Sequence, residues 1–126
     1  MENKEYLEQS ERTLSTNFHL VGSDLILLHG AIGIVTELGE LMLAFDGENI
    51  QDPVNVMEEC ADVYWYVAIF ERAYGEITEG APEISGNVLE KAMVCATEVL
   101  DIFKKKGYYN KSKDTPTLMA KLSYIK

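Results

Sequence analysis

Four carboxylates in two short runs are the residues of this sequence best suited to chemistry. Glu37 and Glu40 stand three apart inside HGAIGIVTELGELMLAF, and Glu59 and Asp62 stand three apart inside NVMEECADVYWY. Glutamate is among the residues least often buried without a partner, so acids set in apolar sequence call for an explanation. On a helix, residues three apart share a face. At about 100° per residue, Gly33 falls between Glu37 and Glu40, with Gly30 and Ile26 close by. This glycine-floored stripe is expected to leave room for something small and polar. Asn55 and Tyr66 share the stripe of Glu59 and Asp62, while Met57, Ala61, Tyr64 and Ala68 are expected to form that helix's core face. A helical hairpin would bring the two acidic stripes together. Converging carboxylates repel, and their charged forms are stabilised when cations sit among them. An all-oxygen ligand set suits Mg²⁺, with Mn²⁺ as substitute, better than zinc. The plainer alternative is that each pair is solvated or salt-bridged to a partner chain.

The elements that would position these acids read as helices throughout. Residues 2–15 form a polar, amphipathic lead-in. A long helix over 24–46 follows, with Ser23 as its N-cap. DGENIQD is a loop, after which Asp52 caps a helix whose first residue is Pro53, the favoured place for proline. That helix stops at Gly75. Residues 76–84 form a turn-rich linker. A fourth helix runs from Ser85 to Lys106 and ends at Gly107, its three terminal lysines suiting the helix dipole. The loop YYNKSKD leads to a short last helix begun by Thr115 and Pro116. With no strand-like alternation in view, the expected fold is all-α: a bundle of about five helices built from hairpins, one domain over 1–126. Residues 24–75 would be an acidic hairpin and 85–126 a lysine-bearing one. A faint internal repeat agrees: Thr36-Glu37-x-x-Glu40 resembles Thr97-Glu98-x-x-Asp101, and Asp52-Pro53 resembles Thr115-Pro116.

The paired motif, Glu37-x-x-Glu40 followed after a loop by Glu59-x-x-Asp62, resembles the signature of the all-α nucleoside triphosphate pyrophosphohydrolases, the MazG-like superfamily. LLHGAIGIVTELGEL and DPVNVMEECADVYWYVAI are similar to its two central helices, and the likeness covers residues 24–75. The resemblance implies Mg²⁺-dependent cleavage of a (d)NTP to (d)NMP and pyrophosphate, in nucleotide-pool housekeeping. It further implies that Glu37, Glu40, Glu59 and Asp62 hold metal, and that one of Glu37, Glu40 and Glu59 orients or deprotonates the attacking water. The sequence departs from the pattern in one place. Many relatives carry lysines just after the first acidic pair, whereas LAFDGENIQD has no basic residue. The lysines occur instead in DIFKKKGYYNKSKD, so phosphate contact is expected from Lys104, Lys105, Lys111 or Lys113.

Other residues carry two readings each. Glu98 and Asp101 form either a degenerate second acidic site or, with Lys105, an ordinary surface ion pair. His29 at the edge of the acidic stripe would touch substrate or pack. Trp65 and Tyr66 would flank a base or pack, with the core the default for Trp65 and the acidic stripe favouring Tyr66 for the pocket, while Glu58 is expected in an outer shell or exposed. Asn17 and His19, ahead of the long helix, are free to close over a ligand. Cys60 and Cys95 lack metal-type spacing and read as small buried thiols in a reducing cytosol.

Composition bounds the rest. A net charge of −10 over 126 residues argues against nucleic-acid binding. Residues 1–75 hold fourteen acids against three basic residues, and residues 76–126 hold seven against eight lysines. Such a division would let a cation bind in one place and an anion in another. The polar, acid-rich start MENKEYLEQSERTLS does not read as a secretory signal, and the best apolar run carries both glutamates, so no membrane span is expected. The expectation is a cytoplasmic protein. Hairpins of this size leave apolar faces uncovered, which predicts a homodimer or homotetramer with sites bordered by both chains. Two rivals stand beside the enzyme. One is a non-catalytic helical assembly protein with a vestigial metal site. The other is a di-iron bundle, which wants Glu-x-x-His pairs that His19 and His29 do not supply.

Overall fold

The computed structural model describes residues 2–14, 17–46, 49–50, 52–77, 88–111 and 115–125. The architecture is all-α, with five helices among the described residues: α1 (Asn3–Thr13), α2 (Ser23–Leu43), α3 (Pro53–Tyr74), α4 (Val88–Tyr109) and α5 (Thr115–Ile125). One departure lies in the expected loop. Phe45–Asp46 and Asn49–Ile50 form a two-residue antiparallel ladder, with Phe45 opposite Ile50. The long helix therefore ends at Leu43 rather than residue 46.

Cap chemistry sets the helix ends. Asp52 accepts a hydrogen bond from the Asn55 backbone N–H at 3.1 Å, with Pro53 as the first helical residue. At the other end of α3, Gly75 takes φ of 93°, and its N–H bonds the Glu71 carbonyl at 2.8 Å. At the start of α2 the cap is Gly22, at φ of 58°, and Ser23 is already helical. Gly107 does not stop α4 either. The helix continues to Tyr109, and Asn110 at φ of 52° ends it, with the Lys111 N–H reaching back to the Lys105 carbonyl at 3.1 Å. Asparagine is the usual second choice to glycine in that left-handed position.

Gly107 instead admits the chain ahead of α2. A Cβ there would lie 2.9 Å from Phe18 and 3.2 Å from Leu20, and the His19 N–H donates to the Gly107 carbonyl at 2.6 Å. The stretch around His19 is thus docked on the end of α4 rather than free to close over a ligand.

α2 is the central helix, packed against α3 on one side and α4 on the other, with α5 against α4. The core runs through Ile34 and Ala31 of α2, Val67 and Phe70 of α3, Val99 and Phe103 of α4, and Leu118 and Leu122 of α5. Phe70 and Phe103 meet edge to face, ring centroids 6.0 Å apart. By length and hydropathy α2 would suffice to cross a bilayer, contrary to the expectation that its glutamates rule this out. Seven of its residues, from Leu27 to Leu41, are buried in the core. α1 buries none of its residues.

The expected faces of α3 are inverted. Met57, Ala61 and Tyr64 are exposed, and Ala68 is half-buried; the buried side is Glu59, Val63, Val67, Ile69 and Phe70. Trp65, expected in the core, is 54% exposed. The 78–84 part of the linker, the Ser85 helix start and the 112–114 part of the YYNKSKD loop lie outside the described residues.

Candidate metal centre

The α2–α3 pairing that builds the site depends on small residues. A Cβ on Gly30 would come within 2.8 Å of the Phe70 ring, and one on Gly33 would overlap the Tyr66 ring. The glycines expected to floor a ligand space are therefore filled by aromatic side chains of α3. They let the two helices approach closely, and the acids one turn further along α2 meet α3 at its buried face.

Three of the four predicted carboxylates come together there. Glu37, Glu40 and Glu59 each offer an oxygen within 4.8 Å of the others. Glu59 is buried, 7% exposed, Glu37 is half-buried and Glu40 faces solvent. The Oε2 atoms of Glu37 and Glu59 are buried and have no hydrogen-bond partner among the described residues. Asp62 is exposed, and its carboxylate lies outside this group.

The electrostatics follow from that crowding. Glu59 is held above the ordinary glutamate value, first by its contact with Glu37, which is a hydrogen bond only when one of the two carries a proton. Burial and the charge of Glu37 push in the same direction, hydrogen bonding with Glu40 opposes them, and Asp62 adds a further push upward. A shared proton is one way to relieve the pair. A divalent cation is the other, and the donor set fits one: three carboxylates, no nitrogen or sulfur, one open side at Glu40. Oxygens on one Mg²⁺ lie roughly 3–4 Å apart, so carboxylates within 4.8 Å of one another would draw together around an ion.

An aromatic row starts one turn from Glu37, where Tyr66 covers Gly33. Tyr66, half-buried on Gly33, meets His29 edge-on at 5.6 Å and Trp65 at 5.0 Å, and both flanking residues are exposed. Trp65 was expected in the core by default, and its exposure leaves the other reading of the sequence, that it stands with Tyr66 beside a base.

The predicted lysines sit elsewhere. Lys104 and Lys105 both pair with Asp101, at 3.0 and 2.9 Å, and the carboxyl of Asp101 is held below its usual range by Lys105 first and Lys104 second. Lys104 also lines a groove with Leu28 and Ile32, on the side of α2 turned away from Glu37. Glu98 pairs with Lys121 of α5 at 2.7 Å, so Glu98 and Asp101 are engaged in ion pairs rather than gathered as a second acidic site. Lys111 is exposed, and Lys113 lies outside the described residues. Glu58 is exposed as expected; Cys60 and Cys95 are free thiols, half-buried rather than buried.

No known protein family, curated protein or solved structure matches the chain.

Proposed function

We propose that the protein is a Mg²⁺-dependent hydrolase acting on nucleoside triphosphates, cleaving between the α and β phosphorus to give (d)NMP and pyrophosphate. The observation that carries the metal part is the pair of buried, unpartnered Oε2 atoms on Glu37 and Glu59, with Glu40 alongside. Unsatisfied carboxylate oxygens in an apolar setting are costly, and a hard cation satisfies them. The choice of reaction rests on the resemblance of the paired Glu37/Glu40 and Glu59/Asp62 motif to the MazG-like enzymes. Mn²⁺ would serve in place of Mg²⁺.

In this reading Glu37, Glu40 and Glu59 hold the ion, and Asp62 faces the open side where a further ion or its water shell would sit. When bound, Mg²⁺ supplies neutralisation of phosphate oxygens and a lowered pKa for water. Glu40, the exposed member, is the carboxylate best placed to accept a proton from attacking water, because the ligand oxygens of Glu37 and Glu59 are buried. Tyr66, with His29 and Trp65 at its edges, offers a surface on which a base would stack. The protein would act in the cytoplasm on the nucleotide pool.

The assembly-protein alternative is favoured by one observation: Lys104 and Lys105 are engaged by Asp101 on another face of the molecule. A product assay separates the two. The protein is incubated with a panel of NTPs and dNTPs and Mg²⁺, and products are resolved by ion exchange, with Glu40→Gln and Asp62→Asn as controls. The hydrolase reading expects NMP and pyrophosphate, with at least about a hundredfold loss in Glu40→Gln if it serves as general base. NDP and free phosphate would mean the wrong bond, and no turnover by the wild type would leave the assembly protein.

A further inference from the structure

Between α2 and α4 runs an apolar groove, on the side of α2 turned away from the carboxylates. Leu28 and Ile32, one turn apart on α2, line one wall, and Leu100 and the fully buried Phe103 line the α4 side. Phe18 closes one end. Its ring meets Tyr108 edge to face at 5.2 Å and lies against Gly107, where a Cβ would stand 2.9 Å from it. The bond from the His19 N–H to the Gly107 carbonyl holds that end by backbone as well as by packing. The groove is thus preformed, and its 330 Å³ falls in the range of small-molecule sites, roughly 300–1,000 Å³. Its mouth opens to solvent: Phe18 is 44%, Ile32 45% and Tyr108 47% exposed. Large apolar side chains gathered in one place mark a binding surface.

Lys104 stands on the rim as the charged residue of the groove. It shares the Asp101 carboxylate with Lys105, at 3.0 and 2.9 Å. Two ammonium groups meet one acid, so one positive charge is left uncompensated beside the apolar walls. Lys104 also borders a second recess at the end of α1, which leaves its ammonium open to solvent.

We infer that this groove binds a free amphipathic monocarboxylate, with an aliphatic chain of about eight carbons along the walls and its head on Lys104. Each part of that ligand follows from a feature of the groove. The side chains of Leu28, Ile32, Leu100 and Phe103 carry no hydrogen-bonding group, so a body with polar atoms would give up its water for nothing in return. At roughly 30 Å³ for a water-sized group, the groove holds a chain of that length and its carboxylate. One uncompensated charge matches one negative charge, and Asp101 beside it would repel a second, as on a phosphate ester. None of the glutamates of the metal centre takes part, so the inference is independent of the proposed activity.

The test is a titration of sodium octanoate into the full, isotopically labelled chain, followed by heteronuclear NMR. The inference expects saturable shifts at Leu28, Ile32, Leu100 and Lys104. Octanol, the same body without the charge, should bind at least about tenfold more weakly, and Lys104→Gln should weaken octanoate about tenfold while leaving octanol unchanged. Ile32→Glu, which sets an acid at the exposed mouth, should abolish octanoate binding, while Lys4→Gln on α1 should not alter it. Should Ile32→Glu unfold, Lys104→Gln and the octanol comparison decide. Shifts that never saturate, or that spread over other faces, would overturn the inference, as would octanol binding as tightly as octanoate. So would groove resonances that move on dilution of the protein alone, the sign of a second copy seated there. Binding seen only with phosphatidylglycerol vesicles would replace the free ligand by a membrane surface.

Discussion

Glu59 carries the conflict on which the candidate site turns. It is the buried charged residue of α3, and its neighbour Glu37 gives it a second carboxylate instead of a base. A glutamate whose pKa is higher in the folded chain than in the unfolded one binds its proton more tightly when folded. Its contribution therefore favours folding at acid pH and is lost as pH rises from the ordinary value of 4.5 through the raised one. Without metal, the melting temperature should rise as pH is lowered from neutral toward that value. Glu59→Gln should flatten this slope and raise the neutral-pH melting temperature, since the amide cannot ionise. Calorimetry in chelator across pH checks both; an unchanged slope in Glu59→Gln would assign it to other groups. That Glu37, Glu40 and Glu59 come together was legible from their spacing. The outward position of Asp62 was not, because a three-residue step on a helix still spreads two side chains by about 60°.

At the scale of elements, cap residues were the most readable part of the sequence. Asp52-Pro53 and Gly75 bound α3 where their chemistry says they should. Gly107 misled because a glycine serves either a turn or a close approach, and only the docking of Phe18 and Leu20 on it decides which. The same ambiguity governs Gly30 and Gly33, read as open floor and found under Phe70 and Tyr66. Gly33→Ala should therefore displace the whole Tyr66 ring and cost about 1–3 kcal/mol by overpacking. A thermal melt would register that as a fall of several degrees, whereas a neutral or stabilising change would mean that the helices separate without strain. The two faces of α3 were exchanged for a related reason. Val63, Val67 and Phe70 continue the line of Glu59 at helical spacing, so the acid was part of the core stripe. Hydropathy alone gave equal weight to Met57, Ala61 and Tyr64 on the other side.

For the whole molecule, the all-α bundle was legible because its long apolar periods, few prolines and end signals agree. How hairpins pack was not. The lysines of α4 were expected to meet the acids, yet α4 lies on the other side of α2 and gives Lys104 and Lys105 to Asp101. Order along the chain says which helices are neighbours in sequence, not which face of the central helix each covers. What the fold does bring together is a carboxylate cluster shared by α2 and α3, one turn along α2 from the glycine that Tyr66 covers.

The most direct measurement is Mn²⁺ binding followed by electron paramagnetic resonance, with competition by Mg²⁺, on the wild type, Glu59→Gln and Glu37→Gln. Loss of a ligand oxygen should weaken binding by at least about tenfold in either variant, with Mg²⁺ displacing Mn²⁺ from the wild type. Equal binding by all three proteins, or none by the wild type, would contradict the assignment of these glutamates as metal ligands.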